Sequence, residues 1–295
     1  MPSQFIDNFI DKYHLSHDFF SFAKGYLIPI AERILSQSSQ SSEVFFAGIN
    51  GCQGAGKSTI ATFIQAYLHA NYHLNVVNMS LDDFYLSQSQ CLKLAHNIHP
   101  LLKTRGVPGT HDVEKLIQVL TSLKNSSGQL EIPRFSKLDD NPSAPYKVKL
   151  PIDLVLIEGW CWGVDPQSVT GLILPCNAME SVHDNNLLWR NYVNTRLSED
   201  YVPLYHLVNF WLFIKAPSFT CVYQWRLQQE EKLRAKHVIE NQTKTLTAIM
   251  SNDEVAAFIL LFQRLTEHAL ATMSDKADIT LSLNKERLVE CCDGL

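Results

Sequence analysis

The sequence has no CxxC pair and no regular cysteine spacing. Its seven cysteines, at positions 52, 91, 161, 176, 221, 291 and 292, are odd in number and scattered. That pattern excludes a disulfide framework. No uncharged apolar stretch approaches the roughly 18–20 residues of a membrane span; the longest candidates, Val208–Ile214 and Val255–Phe262, have the length of a strand or a core helix. The opening residues carry Asp7, Asp11 and Asp18 and lack a basic start followed by an apolar run, so a secretory leader is not expected. Glycine and proline are sparse, at 12 each, which excludes collagen-like and low-complexity architecture. Charge of either sign is in little excess: 25 Lys and Arg face 30 Asp and Glu, a net −5. Such a chain has no general attraction for nucleic acid or an anionic membrane, and an anionic ligand must be held by a local site. The expectation is a soluble, reduced, cytoplasmic protein with neither nucleic acid nor membrane as partner. What is present is 46% hydrophobic and 19% charged residues over 295 positions, enough for an ordinary globular core.

Short continuous apolar runs mark strands buried on both faces. They occur at Val44–Ile49, Leu74–Met79, Leu154–Ile157 and Leu207–Ile214, with an alternating fifth at Ile279–Leu283. Helical spacing lies between them, at Lys57–Asn71, His111–Lys124, Phe219–Lys236 and Asp253–Ala271. Strands alternating with helices predict an α/β fold with a five-stranded, mainly parallel sheet flanked by helices. Residues 4–35 predict two further helices broken near Lys24–Pro29, followed by a polar Ser/Gln linker over 36–42.

Directly after the first buried run stands Gly51-Cys52-Gln53-Gly54-Ala55-Gly56-Lys57-Ser58-Thr59, a match to G-x-x-x-x-G-K-[ST] with an apolar helix following at once. The residue types suit the chemistry. Gly54 and Gly56 let successive backbone N–H groups turn inward around a phosphate, and the helix N-terminus adds its dipole. Lys57 is a mobile cation for the terminal phosphates and the Ser58 hydroxyl a ligand for Mg²⁺. Cys52 reads as an inert filler of the loop.

A phosphate loop alone does not separate a kinase from a GTPase or a motor. Two adjacent acids, Asp82 and Asp83, follow the second strand, at the carboxyl end where open α/β sheets bind ligands. There they can supply a general base for an attacking hydroxyl and an outer partner for Mg²⁺. Glu158 ends the third strand, the place for a carboxylate on the magnesium side. No D-x-x-G follows a strand, and the Asn284-Lys285 pair lacks the acid that would read guanine. The pattern points to a small-molecule kinase using ATP and Mg²⁺. Arg226, Lys232, Arg234 and Lys236 crowd one predicted helix, as a lid closing over transferring phosphate would require.

The segments Gly48–Thr59, Ser80–Leu86 and Ile157-Glu158-Gly159-Trp160 resemble the P-loop kinases of the phosphoribulokinase, uridine kinase and pantothenate kinase superfamily. Within it, Arg105–Asp112, Pro133-Arg134-Phe135-Ser136-Lys137 and Tyr223–Gln228 are most similar to the D-glycerate 3-kinase family. The resemblance spans roughly residues 44–283. It implies one kinase domain over 1–295, with a helical extension and linker over 1–42, a core over 43–295 and a lid near 218–250. It further implies Lys57, Asp82 and Glu158 as catalytic residues, with Asp82 the base and Ser58 and Glu158 toward the metal. Asp83, Arg105, Asp112 and Arg134 would line the acceptor pocket, and Arg226 and Arg234 would belong to the lid. D-glycerate is the first candidate acceptor; a uridine-like nucleoside, or a non-catalytic ATP-binding regulator, are the alternatives. Phe135 stands where many relatives carry Tyr, so no hydroxyl is offered there. Arg134, stiffened by Pro133, is the expected anchor for an acceptor carboxylate.

Overall fold

In the computed structural model, residues 2–125, 127–239 and 251–295 are described. The chain opens with α1 (Pro2–Tyr13) and α2 (Asp18–Phe22), then passes through a π turn, Ala23–Leu27, into α3 (Ile28–Ser38). The break expected near Lys24–Pro29 is therefore absent: the widened turn accommodates Pro29, which lacks an N–H to donate. The expected linker is also shorter than its composition suggests, because α3 takes its first residues. Phe5 and Phe9 of α1 set their rings edge-on against Phe63, at 5.6 and 5.1 Å between centroids. The extension is thereby part of the same continuous apolar core as the sheet.

The core elements follow as β1 (Phe45–Gly51), α4 (Lys57–Tyr72), β2 (Val76–Ser80), α5 (Gln88–Asn97) and α6 (Val113–Asn125). Next come β3 (Gly128–Ser136), β4 (Asn141–Leu150), β5 (Leu154–Gly159), α7 (Ala178–His183), α8 (Leu188–Arg196) and β6 (Phe210–Lys215). The chain ends with α9 (Phe219–Ile239), α10 (Asn252–Thr272), β7 (Ile279–Leu283) and β8 (Val289–Asp293). The main sheet runs β2-β5-β1-β6-β7-β8; its first five strands are parallel and β8 is an antiparallel edge. All five expected strands are present. β8 and the antiparallel β3–β4 hairpin are additions: both lie half in solvent, so neither shows the continuous apolar run that betrays a doubly buried strand.

Register does the positioning. Ser80 of β2 and Ile49 of β1 both sit beside Glu158 of β5, and Gly51 sits beside Ile214 of β6. The phosphate loop, the acids after β2 and Glu158 therefore emerge together at the carboxyl end of the sheet. Behind it, a buried ionic cluster fastens the connection between β5 and α8 to α10: Arg264 donates to Glu180 at 2.5 and 2.7 Å, and Arg190 donates to Asp184 at 2.8 Å. Among the described residues no helix is long and apolar enough to cross a membrane.

Candidate active site

The loop after β1 turns through Gly54 at φ +79° and Gly56 at φ +91°, left-handed conformations that a side chain strains. Ile60 N–H closes the first turn of α4 on Gly56 O at 3.0 Å. The Lys57 ammonium donates to Cys52 O at 3.1 Å and lies 4.0 Å from Glu158. Ser58 Oγ donates to Glu158 Oε1 at 2.6 Å. A hydroxyl and a buried carboxylate held this close form an all-oxygen pair suited to a hard cation. Among the described residues there is no group of three or more His, Cys, Asp or Glu able to hold a metal. Ser58 and Glu158 are the residues that could hold a magnesium ion, an ion that usually takes one or two carboxylates together with substrate phosphates. Burial pushes the Cys52 thiol up to about 12 against the pull of Lys57, which leaves it protonated and inert.

The loop is also clasped from outside. Arg287, in the turn between β7 and β8, donates Nε to Gly54 O at 2.9 Å and Nη1 to Gln228 at 3.0 Å, with its guanidinium 5.0 Å from the Trp225 ring. A Cβ on Gly54 would lie 2.8 Å from Cβ of Trp225. Gly54→Ala should therefore destabilise the fold by about 1–3 kcal/mol and abolish ATP binding. Thermal melts with calorimetric titration check this, and an unchanged melt with full binding would refute so tight a contact.

Asp82 and Asp83 occupy one 3₁₀ turn, and the turn sorts them. Asp83 caps it, accepting from Ser80 N–H at 3.2 Å while pairing with Arg134 at 3.2 Å. Burial raises its pKa against the pull of Arg134. Asp82 is left facing the cleft, where Lys137 donates to its Oδ2 at 2.6 Å. Burial favours protonation of Asp82, but Lys137, with help from Lys57, holds it well below the usual carboxylate range. Behind it His111 stacks on Tyr85 at 4.4 Å and meets Tyr201 Oη at 2.6 Å; burial lowers its pKa to about 4, so it is neutral at pH 7.

Two clefts open onto this floor. The first, of about 540 Å³, runs from the phosphate loop, Gln228 and Arg287 to Tyr85, Arg105, Trp160, Arg226 and Phe262. The second, of about 480 Å³, is bordered by Tyr13, Asn78, Asp83, Arg134 and Tyr146. Of the residues expected at the acceptor, Arg105 lines the first cleft, its guanidinium 5.0 Å from the Phe135 ring and ion-paired to Asp140. Arg134 does not join it: the side chain lies in the second cleft, 4.2 Å above the Tyr146 ring. Asp112 reaches neither cleft. It is exposed and caps α6, accepting from Lys115 N–H at 2.9 Å. At the base of the expected lid, Trp225 is buried and donates to Lys285 O at 2.9 Å, and Arg226 lines the first cleft. Arg226 pairs with Glu230 one turn on. The Arg234 side chain and residues 240–250 of the expected lid lie outside the described residues. Sequence reasoning missed Tyr85, His111, Lys137 and Arg287. Lys137 had a signal, the segment it shares with Arg134; Arg287 had none, since its turn is remote from the loop in sequence.

Comparison with known proteins follows this geometry. An uncharacterized kinase of Schizosaccharomyces pombe, mug58, is 31% identical over 271 residues, covering 85% of this chain and 91% of that protein. The chain belongs to the P-loop kinases of the phosphoribulokinase, uridine kinase and pantothenate kinase superfamily. The D-glycerate 3-kinase of Cryptococcus neoformans var. grubii superposes on this kinase with a TM-score of 0.74 at 25% identity, over 90% of this chain and 98% of that one. The chloroplastic D-glycerate 3-kinase of Arabidopsis thaliana is 29% identical over 225 residues, 72% of this chain but 44% of the plant protein. No family model matches the chain. Membership implies ATP binding and a small-molecule phosphoryl acceptor.

Proposed function

We propose that this kinase transfers the γ-phosphoryl group of ATP to a hydroxyl of a small anionic metabolite, with D-glycerate the first candidate. The observation that carries the reading is the far half of the first cleft, where Asp82 stands among three cations, Arg105, Lys137 and Arg226. A carboxylate-bearing acceptor enters a site already crowded with phosphate charge, and only fixed cations offset that repulsion. A neutral nucleoside has no use for them. Arg105, a planar guanidinium set against aromatic rings, suits bidentate capture of a carboxylate.

The nucleotide phosphates lie in the loop from Gly51 to Thr59, with Lys57 on the γ-phosphoryl group. Magnesium, when bound through Ser58 and Glu158, neutralises charge on the phosphate oxygens. The acceptor hydroxyl passes its proton to Asp82 as its oxygen bonds to Pγ; the bond from Pγ to the bridging oxygen breaks and ADP leaves with that electron pair. The likeness to D-glycerate 3-kinases over most of the chain supports the acceptor named here.

An acceptor panel tests this. D-glycerate should raise ATP turnover at least about tenfold over the basal rate, while glycerol, uridine and pantothenate should not; Arg105→Lys should raise KM for D-glycerate by about 10-fold or more with basal hydrolysis unchanged. Uridine used as well as D-glycerate would make the nucleoside reading lead. Turnover indifferent to every acceptor would favour a nucleotide-binding regulator.

A further inference from the structure

The two clefts share four residues: Ser58, Asp82, Lys137 and Glu158. The proposed reaction gives three of them work, Ser58 and Glu158 toward the cation and Asp82 toward the acceptor proton. Lys137 has none. It does not hold the hairpin together either; the turn after β3 is closed by Ser136, whose Oγ donates to Asp139 at 2.6 Å and accepts from Asp139 N–H at 3.2 Å. That turn delivers Lys137 to the seam between the clefts, where its side chain is 64% exposed and its ammonium rests on Asp82. Lys57 is tied to Cys52 O and lies 4.0 Å from Glu158. Two ammonium groups therefore line the first cleft together with Ser58 and Glu158, and of these only Lys57 belongs to the phosphate loop.

The pairing also obstructs. While Lys137 donates to Oδ2, Asp82 has a lone pair engaged and less affinity for the proton it must accept. An incoming triphosphate carries more negative charge than one carboxylate, and a lysine on a four-carbon stem is free to follow it. We propose that Lys137 is a catalytic residue that passes from Asp82 to the γ-phosphoryl oxygens when ATP binds. It thereby neutralises the group in flight and releases Asp82 to act as base. Lys137 stays protonated throughout; the acceptor proton goes to Asp82, the O–Pγ bond forms and the bridging bond breaks onto ADP. This rests on the kinase reading above.

The test uses the full chain and the variants Lys137→Gln, Lys137→Met, Asp82→Asn and the double variant Asp82→Asn/Lys137→Gln. Titration calorimetry compares a non-hydrolysable ATP analogue with ADP. Because Asp82→Asn frees Lys137, this variant should bind the analogue tighter than wild type by about threefold or more, the low end of coupling between contacting side chains. The double variant should lose that gain, and ADP affinity should stay level throughout. With D-glycerate, Lys137→Gln should lower kcat by about 10²–10³-fold with little change in KM for ATP, and Lys137→Met, which keeps the aliphatic stem, should do the same with an unchanged melting temperature. Analogue affinity unchanged or weakened in Asp82→Asn, or kcat preserved in a folded Lys137 variant, would overturn the assignment. If no acceptor is used by the wild type, the kinase reading falls, and the analogue-versus-ADP titrations still decide whether Lys137 makes the exchange.

Discussion

Lys57→Ala should lower phosphoryl transfer by about 10²–10³-fold, the cost of one preorganised donor to charge that develops in the transition state. Its ammonium is held by Cys52 O and lies 4.0 Å from Glu158, so it is oriented before any nucleotide arrives and adds no reorganisation at the moment of transfer. Removing it leaves Glu158 with the Ser58 hydroxyl as partner, and the carboxylate then repels the phosphates it should help to seat. The α4 backbone needs nothing from this side chain, so melting temperature should hold while steady-state turnover collapses. Near-normal transfer by the folded variant would remove the phosphate loop from the reaction.

The second large effect belongs to Asp82→Asn, which should reduce kcat by ~10²–10⁴-fold, the usual worth of a positioned general base. ATP affinity should not weaken, because Asp82 touches Lys137 rather than the phosphate loop. Its neighbour provides the control. Asp83→Asn keeps an amide oxygen for the Ser80 N–H and removes only the charge that pairs with Arg134, so it should cost about 1 kcal/mol of stability or less and leave most of the turnover. Kinetics and melts on the two variants side by side distinguish them. ATP binding lost in Asp82→Asn would make Asp82 a metal or structural group, and equal kinetic losses in both would mean the turn, rather than one carboxylate, is what matters.

The adjacent acids also show where reading the chain stops. Two carboxylates in a row after a strand are chemically alike, and only the 3₁₀ turn, which spends Asp83 on the Ser80 N–H and turns Asp82 into the cleft, makes them differ. Arg134 and Arg105 pose the same problem. Each is a guanidinium expected at the acceptor, but Arg134 is drawn to Asp83 and Tyr146 in the second cleft while Arg105 enters the first. Asp112, beside His111 in the chain, spends its carboxylate on the start of α6.

By itself the sequence determined the parts whose information is local. The doubly buried strands announce themselves as apolar runs, and the phosphate loop as glycines that no other residue replaces at φ +79° and +91°, followed by Lys57 and Ser58. Parallel order then carries Glu158 to the same end of the sheet. Tertiary structure alone decided what comes from afar: Lys137 on Asp82 from across a hairpin, Arg287 on Gly54 from the last turn of the sheet, and His111 kept neutral beneath Tyr85. The physical reason is that a charged side chain takes its role from its partner and its burial, and both are set by segments separated by tens to hundreds of residues.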